Sequence, residues 1–278
     1  REAGSRGMAI RRKPSEKFAI SEKITPISES VGYLSLLIYG KSGTGKTAFS
    51  ATLPKPILLL DIREKGTDTI ASVEGIDRLA IDSWDEFEEA HLYLKSGEHK
   101  YKSVVLDQVS TLQDLAMEKV RADENMKSAD LISKRNWGQI SGMMKTWLFA
   151  YRDLTEDDLH VCFIAHDRSQ GGEETLDDQI DPTIGPRLMP SVASGLNGAV
   201  DMIGNTFIRE RFEKDDDKKK IRLVEYAMRI GPHAYYTSKI RRPVAAGAPP
   251  DVLVDPTFDK IAAIIRGESV KRKLKRKE

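Results

Sequence analysis

Eight consecutive residues carry the clearest chemistry in the chain: Gly40-Lys41-Ser42-Gly43-Thr44-Gly45-Lys46-Thr47. They fit G-x-x-x-x-G-K-[ST], the Walker A pattern that cradles phosphates. The glycines let the backbone turn so that successive N–H groups converge on an anion, and a helix N-terminus behind them adds positive potential. Lys46 is placed to reach the β- and γ-phosphates of ATP. The Thr47 hydroxyl is a ligand for Mg²⁺. A metal held this way needs a second carboxylate, and Asp107 supplies one at the end of the apolar run Val104-Val105-Leu106. Gln108 follows it, so the general base is not adjacent. Glu64, just past the apolar run Ile57–Asp61, is the candidate to polarise an attacking water; a surface-loop acid is the alternative reading. His166 ends the run Val161–Ala165 and is placed to sense the γ-phosphate, or else is a structural histidine.

These residues need elements to hold them. Four short apolar runs stand out: Tyr33–Tyr39, Ile57–Asp61, Ser103–Asp107 and Val161–Ala165. Helical stretches separate them, near Lys46–Thr52, Trp84–Lys95, Thr111–Ala122 and Trp137–Leu154. Apolar runs of this length between helices are strands buried on both faces, hence a mostly parallel sheet flanked by helices. Ser83 reads as an N-cap, with acids in the first turn behind it. Past Asn197 the pattern changes to two strands, Val200–Arg211 and Ile221–Ile230, around a charged tip. This C-terminal β-hairpin is followed by a Pro/Ala/Gly linker, 243–250, and a helix near Pro256–Arg266. The fold class is therefore α/β with a hairpin appended.

The chain has 278 residues, 31% of them charged and 40% hydrophobic, with a net charge of +1. No run is long and apolar enough for a membrane span, and no secretory leader is visible. One cysteine, Cys162, lies in an apolar run and reads as core. It can make neither an internal disulfide nor a cysteine-rich zinc site, which points to a reducing, cytoplasmic setting. The even charge hides an asymmetry. Residues 1–17 carry +4 and residues 271–278 carry +5, so the body is −8. Such tails serve as nucleic-acid arms or as solvated ends. Residues 1–7 precede Met8, which reads as the natural start, and they carry no functional argument.

The order of these features resembles the RecA-like ATPase core. More narrowly, it is similar to the short phage-encoded RecA-like ATPases of single-strand annealing and recombination. Leu53-Pro54-Lys55-Pro56, Asn136-Trp137-Gly138 and Tyr236-Thr237-Ser238-Lys239-Ile240-Arg241 carry that likeness beside Walker A. It covers residues 31–245, leaving a basic tail at 1–30 and a linker, short helix and basic tail at 246–278. The resemblance implies ATP hydrolysis between subunits of a homo-oligomer. It also implies that Lys239 and Arg241 reach a neighbour's γ-phosphate; ordinary strand-end charges are the alternative. DNA loops would then use Lys127, Lys134 and Arg135, and a second stretch from Asp167 to Ser194 with Arg168, Gly171, Gly172 and Arg187. That second stretch also holds Glu173, Glu174, Asp177, Asp178 and Asp181, which repel phosphate. Either its arginines face the DNA alone or the tails bind more of it.

The expected function is an ATP- and Mg²⁺-dependent ATPase that assembles on single-stranded DNA and promotes annealing or homologous recombination, with other recombination or replication proteins as further partners. A nucleotide-dependent protein-interaction switch, or a packaging or replication accessory ATPase without direct DNA binding, is the alternative that the acidic body favours. A small-molecule kinase is disfavoured, because no arginine-rich lid follows the core strands.

Overall fold

The computed structural model describes residues 32–127, 130–170, 183–214 and 220–268. Both basic tails, the hairpin tip at 215–219 and the stretch with Gly171, Gly172 and the five acids lie outside the described residues. All the elements below belong to the unit that begins at Tyr33.

The four apolar runs form strands β1 (Ser35–Gly40), β2 (Ile57–Asp61), β4 (Ser103–Asp107) and β5 (His160–Ala165). Between β2 and β4 lies β3 (Ile76–Ala80), and β8 (Met202–Lys214) and β9 (Lys220–Arg229) make the hairpin. Two short strands follow, β10 (Lys239–Ile240) and β11 (Val252–Val254). They make one nine-stranded sheet ordered β11-β9-β8-β1-β5-β4-β2-β3, with β10 also on β8. The pairings from β3 across to β8 are parallel, and those of β9, β10 and β11 are antiparallel. A separate two-stranded ribbon, β6 (Asp167–Gln170) with β7 (Thr183–Pro186), leaves the end of β5.

Successive residues of a strand face opposite ways, and this sorts the core into two layers. Leu37, Tyr39, Leu58, Leu60, Val104, Leu106, Val161 and Phe163 face one side. There they meet α2 (Trp84–Lys95), α3 (Leu112–Asp123), α4 (Lys134–Asp153) and α5 (Pro190–Ala199). Leu36, Ile38, Ile57, Leu59, Val105, Cys162 and Ile164 face the other side, against α1 (Lys46–Ser50) and α6 (Phe258–Ile265). Each such Leu, Ile or Val contributes roughly 1.5–3 kcal/mol by leaving water. Cys162 is fully buried and its thiol is pushed far up by that burial.

Local sequence explains the helix starts. Ser83 and Glu86 form a reciprocal capping box at α2. Ser133 caps α4 by accepting from Asn136 N at 3.2 Å, so the helix begins three residues before the expected Trp137. Its buried Ile140, Met144, Leu148 and Tyr151 recur at helical spacing. The stretch after 245, read as linker, helix and tail, contributes to the sheet and core. β11 pairs with β9, and Phe258, Ile261, Ala262, Ile264 and Ile265 of α6 are buried. Among the described residues no helix is long and apolar enough to cross a membrane.

Candidate functional site

The parallel strands all end on one edge of the sheet, and a crevice outside those ends is where such folds hold ligands. Here it is an open cleft of about 750 Å³, lined by residues 42–49, Glu64, Asp107, Gln108, His166, Tyr226 and the turn Asp255–Thr257. The glycine loop follows β1 directly. Gly40 has no room for a side chain, since a Cβ there would meet Thr206 O and Oγ1 at 2.5 Å. Gly45 turns with φ 86, and a Cβ would come within 3.2 Å of the Tyr226 ring. Thr44 locks the loop by sharing a 2.7 Å hydrogen bond with Thr206 Oγ1 on β8.

Lys46 is buried and arches over this loop, donating to Gly40 O at 2.9 Å and Lys41 O at 2.8 Å. Burial lowers its pKa, and the carboxylates of Asp107, Asp167 and Glu64 oppose that shift. Thr47 Oγ1 donates to Asp107 Oδ2 at 2.9 Å. Burial pushes the Asp107 carboxyl up to about 6, against the Thr47 hydrogen bond, while nearby Glu64 adds to the rise. A hydroxyl beside a desolvated carboxylate is a hard oxygen donor set with charge to spare, which suits Mg²⁺. No group of three or more His, Cys, Asp or Glu side chains converges as a metal cage among the described residues. Mg²⁺ is commonly held by one or two protein carboxylates and completes its shell with water and phosphate.

Glu64 is carried by a built loop. Buried Asp61 at the end of β2 accepts from Glu64 N and Lys65 N, both at 3.0 Å, and pairs with Arg78 at 2.6 Å. Arg63 and Lys65 take the left-handed conformation, with φ of 60 and 54. Arg63 grips both oxygens of Glu118 on α3. The turn delivers the Glu64 carboxylate to Gln108 Nε2, and to within 3.6 Å of His166 Nε2. His166 is fixed through its backbone: its N–H donates to Ser110 Oγ, and its carbonyl accepts from Arg187 N at 2.7 Å. It therefore sits where β5 hands over to the β6–β7 ribbon.

Lys46, Thr47, Glu64, Asp107 and His166 are thus brought together. Lys239 and Arg241 are not. Lys239 Nζ donates to Asn197 O and Gly198 O at the end of α5; Arg241 reaches Gly198 O and Asp201 Oδ1. Asp201 in turn binds Ser35 at the start of β1, the end of that strand away from the glycine loop. The reason is local: the last carbonyls of a helix attract cations. Among the candidate DNA contacts, Lys134, Arg135, Arg168 and Arg187 are exposed.

The sequence reading missed the wall opposite Glu64. Tyr226 on β9 is 47% exposed and faces the glycine loop. Asp255 N donates to Tyr226 O at 2.8 Å, bringing Asp255, Pro256 and Thr257 alongside. Thr257 caps α6. The short run Val252-Leu253-Val254 before a Pro-Thr turn was the available signal. A second cleft of about 530 Å³ lies beside β3 and α2, with Asp77, Arg78, Tyr93 and Tyr101, away from this chemistry.

A doubly covered parallel sheet, a glycine loop closing on Lys46 and Thr47, and a carboxylate at the next-but-one strand end define a P-loop ATPase. The family comparison agrees and is more specific: residues 33–242 match the AAA domain family, and the chain belongs to it. No curated protein matches the chain. Among solved structures it is similar to an ATPase from the type III secretion system of pathogenic bacteria. That match has TM-score 0.38 and 11% identity, and covers 62% of this chain and 51% of that one. It is also similar to the P4 protein from bacteriophage phi6 in complex with ADP, at TM-score 0.32 and 12% identity over 69% and 57%. A third is the genome packaging NTPase B204 from Sulfolobus turreted icosahedral virus 2, at TM-score 0.31 and 11% identity over 70% and 91%. The chain spans about half the length of the first two, and likeness at these scores carries no argument about partners.

Proposed function

We propose that the protein binds ATP with Mg²⁺ in the cleft, hydrolyses it, and works as a homo-oligomer on single-stranded DNA in annealing or recombination. The convergence of Lys46, Thr47, Asp107, Glu64 and His166 at one sheet edge carries the ATPase part. Thr47 and Asp107 would hold the metal, which draws charge from the phosphates when bound. Lys46 would leave the loop carbonyls for the β- and γ-phosphate oxygens. A water polarised by Glu64 would form the new O–P bond as the bond to the β,γ-bridging oxygen breaks, with its proton passing to Glu64 and ADP departing. The ring of Tyr226 and the Pro256 turn would take the base.

Two observations support the coupling to DNA. His166 touches the Glu64 environment and is continuous with the β6–β7 ribbon, on which Arg168 is exposed, with Arg187 just beyond β7. As cations from a neighbouring copy, Lys239 and Arg241 would first have to release the α5 carbonyls. A second reading, a nucleotide-driven protein switch without DNA, is favoured by the −8 charge of the body.

The test is the ATP hydrolysis rate with and without single-stranded DNA, with Lys46→Ala as the blank. Stimulation of several fold, absent from Lys46→Ala, is the expected result. A basal rate unmoved by DNA, with no DNA binding at low salt, removes the recombination reading and leaves the switch.

A further inference from the structure

The dipeptide at the end of β4 sends its two side chains to different partners. Asp107 goes to Thr47. Gln108 goes to Glu64, with Nε2 donating to Oε1. The amide orientation is dictated by charge: the reverse would set two acceptors, a carbonyl oxygen and a carboxylate, against each other. The consequence is recorded on the other amide atom. Gln108 Oε1 is buried and has no hydrogen-bond partner in a residue that is 1% exposed. Native proteins seldom leave a buried acceptor unpaired, and such exceptions call for a reason. A glutamine serving only the core would turn or move to pair its oxygen.

Gln108 is also held rigidly. Thr111 Oγ1 lies 2.8 Å from both Gln108 O and Ile62 O, so its single proton is shared between the Gln108 backbone and the loop that bears Glu64. The Glu64 loop is fixed from its other side by Asp61. Glu64 Oε1 thus faces the Gln108 amide and, at 3.6 Å, His166 Nε2. A long glutamate side chain would otherwise sample several rotamers in an open cleft.

We infer that Gln108 is a positioning residue for ATP hydrolysis: its amide clamps the Glu64 carboxylate in the orientation that activates water. The inference rests on the reading of Glu64 as the base. It accounts for a buried amide standing where an acid would supply the base itself, and for the unpaired Oε1 as the consequence of that orientation. Substitution of such supporting hydrogen-bond partners typically changes activity by about 10–100-fold.

The experiment is steady-state ATP hydrolysis by the full chain with single-stranded DNA, alongside affinity for a non-hydrolysable ATP analogue. The variants are Gln108→Met, Glu64→Gln and the double variant. Gln108→Met keeps the side-chain length and removes the donor. The expected result is a kcat about 10–100-fold lower, with KM and analogue affinity within about twofold of wild type. The double variant should fall no further than Glu64→Gln alone, because residues acting as one unit are not additive. Additive losses, or a raised KM with kcat intact, overturn the proposal. A low kcat in Glu64→Gln with normal turnover in Gln108→Met overturns it and leaves Glu64 as base. Normal turnover in Glu64→Gln overturns both the base assignment and the clamp, whatever Gln108→Met does. If Gln108→Met does not fold, Gln108→Leu, which also lacks the donor, replaces it in the same comparison, with the same losses expected.

Discussion

Asp107 is the residue on which the site's pH response should turn. Its carboxyl is pushed up to about 6 from an ordinary 3.8, chiefly by burial. The folded chain therefore binds one more proton there than the unfolded chain between those two values. Asp107 alone makes the nucleotide-free protein less stable as pH rises through that window. The same burial makes the ionised form a strong anchor for a cation. Below about pH 6 a proton competes with Mg²⁺, so Mg²⁺-dependent binding of a fluorescent ATP analogue should weaken from pH 7.5 to 5.5. In Asp107→Asn binding should be weaker at both values and nearly flat between them. A wild-type response as flat as that of the variant counts against Asp107 as the metal's carboxylate. On the opposite wall, Tyr226→Ala should raise KM for ATP with kcat little changed. Base–aromatic stacking is worth about 1–3 kcal/mol, or roughly 5–150-fold. An unchanged KM would move the base elsewhere.

At the level of elements, the buried strands and their helices were legible because burial on both faces leaves continuous apolar runs. β3 was not. As the edge strand it sets the adjacent Asp77 and Arg78 between a half-buried Ile76 and an exposed Leu79 and Ala80, so no apolar run forms. Helix α5 was hidden by its small residues, Ser194, Gly195 and Gly198, which signal a loop until packing on α4 decides otherwise. The Walker A loop and Asp107 could be read from spacing. The Gln108–Glu64 hydrogen bond could not, because it joins two loops 44 positions apart. Lys239 also makes its contacts with an element, since its ammonium donates to the last carbonyls of α5. Lys239→Met should lower Tm by about 2–4 °C, for a loss near 1 kcal/mol in a chain of this size. Thermal unfolding checks this. A Tm that does not move, with kcat sharply reduced in the assembled protein, would instead favour the interface role.

For the whole molecule, charge separates the two functional readings. The body is acidic and the tail at 271–278 carries +5. If the chain binds single strands, deleting 271–278 should weaken binding across sequences. It should also flatten the salt dependence by about 0.7 in log–log slope for each phosphate no longer neutralised. Titrations at several salt concentrations measure both, and an unchanged slope would place the DNA on the body. The lone thiol offers a view of the same molecule in time. Cys162 is the only cysteine in the chain and lies at the centre of the sheet, beside the strand that feeds the glycine loop. A thiol reagent cannot reach it unless that sheet opens. Its labelling rate is therefore a clock for opening, free of background from other cysteines. Saturating nucleotide should slow the clock in proportion to ligand concentration over Kd, and Lys46→Ala should leave it running at the ligand-free rate.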